Sequence, residues 1–334
     1  MAKKLNSNLQ SAKQAKQDEF YTQLADIENE LRHYKKYFEG KTVLCNCDDP
    51  RVSNFFHYFS YGFEHLKLKR LISTCYKSQE RDLFSQNDSE KAIWLEYTGD
   101  KNGNRVPDAE EIGINYFKGD GDFRSEECVE LLKQADVVVT NPPFSLFREY
   151  VAQLIEYKKK FIIIGNKNAI TYKEIFPLIR DNQLWVGAKP MGGSLWFTTP
   201  EGFANKTDKI IDGVKYTEVP CCWFTNLDHA KRNESLPLYK TYSPEDYPHY
   251  DNFDAIDVCK TADIPCDYDG IMGVPISFLD KYNPKQFEIV GMGTGDLAKE
   301  VGIAKNYRGR TDLSYTINGK TSCPFSRILI RRKK

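Results

Sequence analysis

The chain has 334 residues, with 47 Lys+Arg balanced by 47 Asp+Glu and an aromatic content of 13%. That length admits two domains and a large core, and so many aromatic residues exclude a disordered chain. With zero net charge, a nucleic-acid partner would require the positive charge to gather on one face. No apolar run approaches membrane-span length, and the polar, basic N-terminus has no signal-peptide apolar region, so a soluble, cytoplasmic protein is expected. The nine Cys are odd in number and include no Cys-x-x-Cys pair. Cys45 and Cys47, two apart, and the adjacent Cys221 and Cys222 match no usual zinc spacing. They read as reduced core thiols, and no metal is implied.

Residues 1–17 hold Lys3, Lys4, Lys13 and Lys16 and no acid, a basic N-terminal arm. Asp18 to Gln23 leads into a helix predicted through about Phe38 and closed by Gly40. Thr42 to Asn46 reads as a buried strand running into Cys47-Asp48-Asp49-Pro50, where Asp49 can cap a helix that starts at Pro50. That helix, about 51–66, sets Phe55, Phe56, Phe59 and Phe63 at core spacing, with His57 and His65 in structural roles. Leu71 to Tyr76 is a second strand, and Ile93, Leu95 and Tyr97 alternate as an edge hairpin within a polar stretch. Ile114 to Phe117 is a short strand before Gly119-Asp120-Gly121-Asp122-Phe123; Ser125 to Lys133 is helical, with Val129 and Leu132 inward.

The central stretch is Asp136-Val137-Val138-Val139-Thr140-Asn141-Pro142-Pro143-Phe144. A continuous β-branched run predicts a strand buried on both faces. Two prolines then end hydrogen bonding and fix the backbone, and Pro142 holds Asn141 extended. Asn141 is thereby placed at the carboxyl end of a buried strand, the edge at which open α/β sheets bind ligands. Such a turn suits one chemistry. A planar amino group such as N6 of adenine is a poor nucleophile because its lone pair is delocalised. Acceptors on both its N–H bonds, here the Asn141 side-chain oxygen and the Pro142 carbonyl, favour a pyramidal nitrogen. Phe144 is placed to stack on the base. The competing reading of these four residues is a tight strand exit without chemistry.

Beyond it, Ser145 is expected to cap a helix ending near Tyr157. Phe161 to Ile164 is a further strand, broken by Gly165-Asn166, and a helix at about 170–180 and a strand at 184–188 continue the alternation. Strands alternating with helices over 42–188 predict a largely parallel, three-layer α/β sheet. Right-handed crossovers then bring Cys47–Pro50, Asp120–Phe123 and Asn141–Phe144 to one rim. After about 190 glycines, prolines and aromatics increase; Leu195–Thr198, Cys222–Asn226 and Phe287–Val290 read as strands. Gly291 to Asp296 reads as a turn rather than a cofactor loop, and Lys158–Lys160 and Arg331–Lys334 read as solvated ends.

Four blocks occur in a telling order: Asp18-Glu19-Phe20-Tyr21-Thr22, Asn46-Cys47-Asp48-Asp49-Pro50-Arg51, Gly119-Asp120-Gly121-Asp122-Phe123-Arg124 and Asn141-Pro142-Pro143-Phe144-Ser145. With Tyr268 to Pro275 and Arg327 to Ile330, they make the chain resemble the EcoRI-type adenine-specific DNA methyltransferases from about 18 to 330. The resemblance implies a Rossmann-like, S-adenosylmethionine-dependent methyltransferase sheet with a C-terminal target-recognition region. It implies a catalytic domain over 18–227, with an insertion at about 190–220, and recognition by 228–334. The acceptor would be adenine N6 in double-stranded DNA, within a restriction–modification system or a phage.

Carried over by motif, Tyr21, Thr22, Asn46, Asp48, Asp122 and Phe123 would bind S-adenosylmethionine. Asn141, Pro142 and Phe144 would be catalytic, with Pro143 beside the flipped adenine and Phe197, by position, over its other face. The first-strand loop lacks the glycines common among methyltransferases, and the second strand lacks the usual terminal acid. The expected partner is duplex DNA bound by a monomer, with a cognate endonuclease sharing the site. The rival readings are a protein-glutamine methyltransferase, an RNA adenine methyltransferase and a catalytically silent DNA-binding module. The region after Asn226 favours DNA over the first, and the intact Asn-Pro-Pro-Phe argues against the last.

Overall fold

The computed structural model describes residues 21–47, 53–76, 92–104, 106–108, 111–198, 208–211 and 213–333. The basic arm 1–17, Asp18 to Phe20, Asp48, the Asp49–Pro50 cap and the side chain of Tyr21 lie outside the described residues.

In chain order, β1 (Tyr21–Thr22) leads into α1 (Leu24–Leu31), which buries Ile27 and Leu31. Gly40 takes a φ of 68° in the turn before β2 (Thr42–Asn46), a strand buried at every residue. Next come α2 (Asn54–Tyr61), which buries Phe55, Phe56 and Phe59, and then β3 (Arg70–Thr74), β4 (Ile93–Tyr97) and β5 (Gly113–Tyr116). Ser125 caps α3 (Glu126–Gln134) by accepting the Cys128 N–H at 3.3 Å. This helix turns Cys128, Leu131 and Leu132 inward; Val129, expected inward, is only half-buried.

After β6 (Val137–Thr140) a 3-10 turn over Phe144–Leu146 precedes α4 (Phe147–Glu156). Ser145 lies inside that turn, closed by the Leu146 N–H on the Pro143 carbonyl at 3.0 Å, and is not the cap; Leu146 takes that position, with no side-chain bond. β7 (Lys160–Asn166) runs straight through Gly165. That glycine does not break the strand; a Cβ there would sit 2.4 Å from the Phe147 ring, so it admits a close approach of α4. The chain continues through α5 (Phe176–Arg180), β8 (Trp185–Val186), β9 (Leu195–Thr198), β10 (Lys209–Ile211), β11 (Val214–Val219) and β12 (Cys221–Thr225). It ends with β13 (Ile256–Asp257), β14 (Met272–Pro275), β15 (Phe287–Met292), α6 (Gly295–Glu300), β16 (Tyr315–Ile317), β17 (Lys320–Ser322) and β18 (Arg327–Arg332).

Two compact units result. The first takes residues up to Lys167 together with Gly193–Leu227. Its main sheet runs β5-β4-β3-β2-β6-β7-β12. The central pairs β3–β2, β2–β6 and β6–β7 are parallel, while β4, β5 and β12 add antiparallel strands at the two sides. This is the α/β class expected, with antiparallel additions flanking a parallel centre. A second sheet, β1-β9-β11-β10, is antiparallel throughout and joins the N-terminal motif to the segment after 193. The aromatic positions of α2 enter the core, where Phe55 meets Trp223 edge-on at 6.1 Å.

The second unit takes Asn168–Gly192 and Asp228–Lys334. Its sheet runs β13-β14-β18-β15, with β16 and β17 as a separate hairpin. The segment 168–192, whose local α/β alternation predicts a place in the catalytic domain, is grouped by its contacts with this unit, where the Met191 N–H donates to the Asp280 carboxylate at 2.9 and 3.1 Å and the Arg232 guanidinium lies 3.9 Å from the Trp185 ring centroid. The glycines after β15 serve packing, since a Cβ at Gly291 would meet Val301 and one at Gly293 would meet Leu313. Among the described residues no helix is long and apolar enough to cross a membrane, and no disulfide joins the cysteines.

Candidate active site at the carboxyl ends of β2 and β6

The chain passes from β2 outward to β3 and later returns to the other side of β2 as β6. That reversal is a topological switch point, the place where open α/β sheets bind ligands beyond the carboxyl ends of their strands. The two strands pair at Val43 with Val137 and at Leu44 with Val138, and no further. Beyond that pairing, side chains bridge the parting strands. The Thr140 hydroxyl donates to the main-chain carbonyl of Asn46, and the Tyr150 hydroxyl from α4 donates to the Asn46 side-chain oxygen. Asn141 follows directly, only 6% exposed; Pro142 is buried, and Pro143 and Phe144 are half-buried. The last residue of the first strand and the residue before the catalytic candidate are therefore tied to each other.

Cys47, next to Asn46, has a φ of 80°. A left-handed conformation costs a residue with a Cβ roughly 1–2 kcal/mol, and glycine usually supplies it. Cys47 thus takes the backbone form a glycine would give.

The loop after β5 reaches the same place. Gly121 has a φ of 76°, and a Cβ on it would lie 2.5 Å from the Cys75 carbonyl just beyond β3. The Phe123 ring packs edge-on against Tyr150 with centroids 5.0 Å apart, and the Phe123 carbonyl accepts from Gln153 at 3.0 Å. Phe123, Tyr150, Asn46 and Thr140 form one connected chain of contacts, so the loop at Phe123 and the strand ends at Asn46 and Thr140 are drawn together; of the loop Cys47–Pro50 only Cys47 is among the described residues. Thr22 joins from the antiparallel sheet: its carbonyl accepts from the Asn54 side chain at 2.7 Å, at the first residue of α2.

The electrostatics are simple. Burial pushes the Tyr150 phenol well above its ordinary range, so it stays a neutral donor. The Arg124 guanidinium, bonded to both Asp122 oxygens at 2.8 and 2.6 Å, holds that carboxyl below the usual carboxylate range. Arg124 also reaches Glu149 at 2.9 Å. Main-chain N–H groups of Lys118 and Gly119 lower Glu127 in the same way.

Of the expected residues, Asn46, Asp122, Phe123, Asn141, Pro142, Pro143 and Phe144 are brought to this rim. Asp48 and the Tyr21 side chain lie outside the described residues. Phe197 pairs opposite Thr22 and is fully buried, its ring enclosed by the core. The half-exposed face of β9 belongs to its neighbour Trp196, which has Lys209 Nζ 4.4 Å from its ring centroid. Sequence reasoning missed Thr140, Tyr150 and Asn54. Tyr150 left one signal, a polar tip among the apolar positions Phe147, Val151 and Leu154 of its helix.

The rim suits an adenosyl group bearing a sulfonium. It offers amide and hydroxyl oxygens, one carboxylate and an aromatic ring, and the Thr22 hydroxyl is buried without a hydrogen-bond partner among the described residues.

Comparison with known proteins adds the rest. The family model described as adenine-specific methyltransferase EcoRI matches residues 8–333. The Type II methyltransferase M.EcoRI of Escherichia coli is 47% identical over 335 residues, covering 98% of this chain and 97% of that protein. M.MgeORF184P of Mycoplasma genitalium is 37% identical, covering 97% of this chain and 98% of its own length. M.MpnI of Mycoplasma pneumoniae is 36% identical, with 97% of each chain covered. No solved structure matches the chain. With a family match spanning nearly the whole sequence and a relative 47% identical over 98% of it, the chain belongs to the family of the adenine-specific methyltransferase EcoRI.

Proposed function

We propose that the chain transfers a methyl group from S-adenosylmethionine to N6 of an adenine swung out of duplex DNA at a specific sequence. The observation that carries this is Asn141 at the switch point, tied through Thr140 to the first-strand loop. Asn46, Thr22, Asp122 and Phe123, with Tyr21 and Asp48, would hold the cofactor, which when bound supplies an electrophilic methyl on a sulfonium. The Asn141 side-chain oxygen and the Pro142 carbonyl accept from the two N6 hydrogens, and the nitrogen lone pair is localised toward the incoming carbon. Phe144 stacks on the extruded base, a contact worth roughly 1–3 kcal/mol in single-strand binders. The nitrogen so held would take the methyl group that the bound cofactor supplies, and its proton would leave through an acceptor to water. Positioning supplies most of the acceleration. The hydrogen bond to Asn141 strengthens as the nitrogen becomes pyramidal, so it acts mainly in the transition state.

Residues 228–334 are the part we assign to target recognition. The relatives' names place them among Type II methyltransferases, and we read this chain as the modification activity of such a system, acting in the cytoplasm as a monomer. A partner endonuclease would share its site without needing to bind it.

The test is transfer of a labelled methyl group to random-sequence duplex DNA, followed by nuclease digestion and mapping at single-base resolution. The expected product is N6-methyladenine within one short sequence. Label on protein glutamine or on RNA, with none on DNA, would overturn the reading.

A further inference from the structure

Two turns of the second unit meet at one buried side chain. The Asn306 side-chain oxygen accepts from the N–H groups of Arg308 at 2.9 Å and Arg310 at 3.3 Å. Its amide donates to the Asp312 carbonyl at 3.0 Å and to Cys323 Sγ at 3.6 Å. Main-chain bonds close the same turn, from Asn306 N–H to the Arg310 carbonyl at 2.7 Å and from Gly309 N–H to the Asn306 carbonyl at 2.8 Å.

The second turn, which starts at Cys323, is anchored again at its far end. Arg327 donates to the Asp257 carboxylate at 2.8 and 3.4 Å and to the Phe325 carbonyl at 2.9 Å. The Asp257 side chain is fully buried and also accepts from the Tyr250 hydroxyl.

These fixed turns carry what a fold by itself would avoid. Phe325 is 82% exposed and Tyr307 60% exposed. Arg308 and Arg310 are exposed too, with the Arg308 guanidinium 5.0 Å from the Tyr307 ring centroid. Among the described residues neither arginine forms an ion pair, whereas Arg327 is spent on Asp257, Lys299 on Asp296 and Arg331 on Glu288. Ordering a turn costs conformational entropy, and an exposed phenylalanine returns no burial. A surface of this composition gains only when something covers it. Basic groups interleaved with aromatic rings match a nucleic-acid backbone and its bases, and a chain of zero net charge must gather its cations somewhere to bind a polyanion.

We infer that Arg308 and Arg310 contact backbone phosphates of the DNA duplex, with the Tyr307 and Phe325 rings packed beside them on the sugar–base surface. The inference rests on the DNA-methylation reading and gives it a named contact surface. The test uses the full chain and a duplex carrying its mapped site, with affinity read by fluorescence anisotropy from about 50 to 200 mM salt. Joint R308A and R310A should weaken binding at least tenfold and reduce the slope of log K against log salt by about two, one per lost phosphate contact. Joint R308K and R310K should restore the slope. F325A should weaken binding several-fold with the slope unchanged. Wild-type affinity and slope in the double alanine variant would overturn the assignment. So would an unchanged slope with a shifted methylation site, which would make the arginines readers of bases. A wild-type protein that methylates no DNA overturns the parent reading and this one with it; normal wild-type binding beside unaltered variants overturns this one alone.

Discussion

The rim at β2 and β6 and the surface around Asn306 are both held by hydrogen-bonded side chains, and they differ in where charge is used. At the rim the ties that meet at Asn46 are neutral: two hydroxyls donate to it, and an aromatic edge contact extends the chain to Phe123, while the charged pair Asp122–Arg124 lies on the more exposed side. In the second unit the anchor is an ion pair with one partner fully buried, Asp257 with Arg327. The difference follows from what each scaffold must carry. A fixed charge beneath a reacting centre would bias every charge that forms there, while hydroxyl and amide partners hold geometry with little field. A surface that only presents rings and guanidinium groups tolerates a buried charge below it, provided that charge stays paired.

Breaking the catalytic side should give the largest effect. Asn141→Ala is expected to slow single-turnover methyl transfer on the order of a thousandfold, ~4 kcal/mol, with cofactor and DNA affinity held within about tenfold, ~1.4 kcal/mol. A near-normal transfer rate would leave the turn a mere strand exit.

The anchor of the second unit comes next. Asp257→Ala strands the Arg327 guanidinium and should cost about 3 kcal/mol in urea unfolding, much of it recovered when Arg327→Met is added. No loss in the single variant would mean that the pair is not the anchor described. Tyr150→Phe probes the neutral scaffold. It removes the donor to a buried amide oxygen, which should cost about 1–2 kcal/mol and weaken S-adenosylmethionine binding in calorimetry. Unchanged stability and affinity would sever Tyr150 from the loop.

Smaller still, Cys47→Gly should be neutral or stabilising by up to ~1 kcal/mol, since strain relief is partly offset by unfolded-chain entropy. Cys47→Val should destabilise, and the reverse order in thermal melts would show that the left-handed turn is unstrained. Smallest of all is the exposed pair of Asp122 and Arg124. Because the folded Asp122 pKa is depressed, its contribution is present above the unfolded value near 3.9 and is lost as pH falls through the lower folded value. R124A should move Asp122 upward toward the ordinary carboxylate value in a carboxyl-carbon NMR titration.

Much of this was legible in the chain itself. Val137 to Val139 announced a strand buried on both faces, and the two prolines announced where it stops. Asn46 and Asn141 stood at predicted strand ends, and parallel topology then requires them to share an edge. What escaped were features created by contacts between distant residues. Gly165 looked like a break because the Phe147 ring that needs its missing side chain lies in another element. Tyr150 drew no reading of its own because its partner, Asn46, comes far earlier in the chain. Cys47 gave no hint of a positive φ, which local propensity assigns to Gly or Asn. The segment 168–192 keeps the local periodicity of the catalytic sheet, and its bond from Met191 to Asp280 reaches a residue too distant in the chain for local pattern to show.

The pairing of β1 with β9 has a consequence for how the enzyme is born. Tyr21 and Thr22 hydrogen-bond to Thr198 and Phe197, and β11 then covers the far side of β9. During synthesis the N-terminal motif emerges first, yet it has no strand to join until the chain beyond 198 has left the ribosome. Such a long-range pairing is slow to form and is reached late. The parallel strands can assemble while translation continues, but the Thr22 side of the cofactor rim closes only afterward. A chain truncated before β9 would keep the Asn141 turn and lack the strand that pairs with Thr22, so on the function proposed above an incomplete product is expected to methylate no DNA.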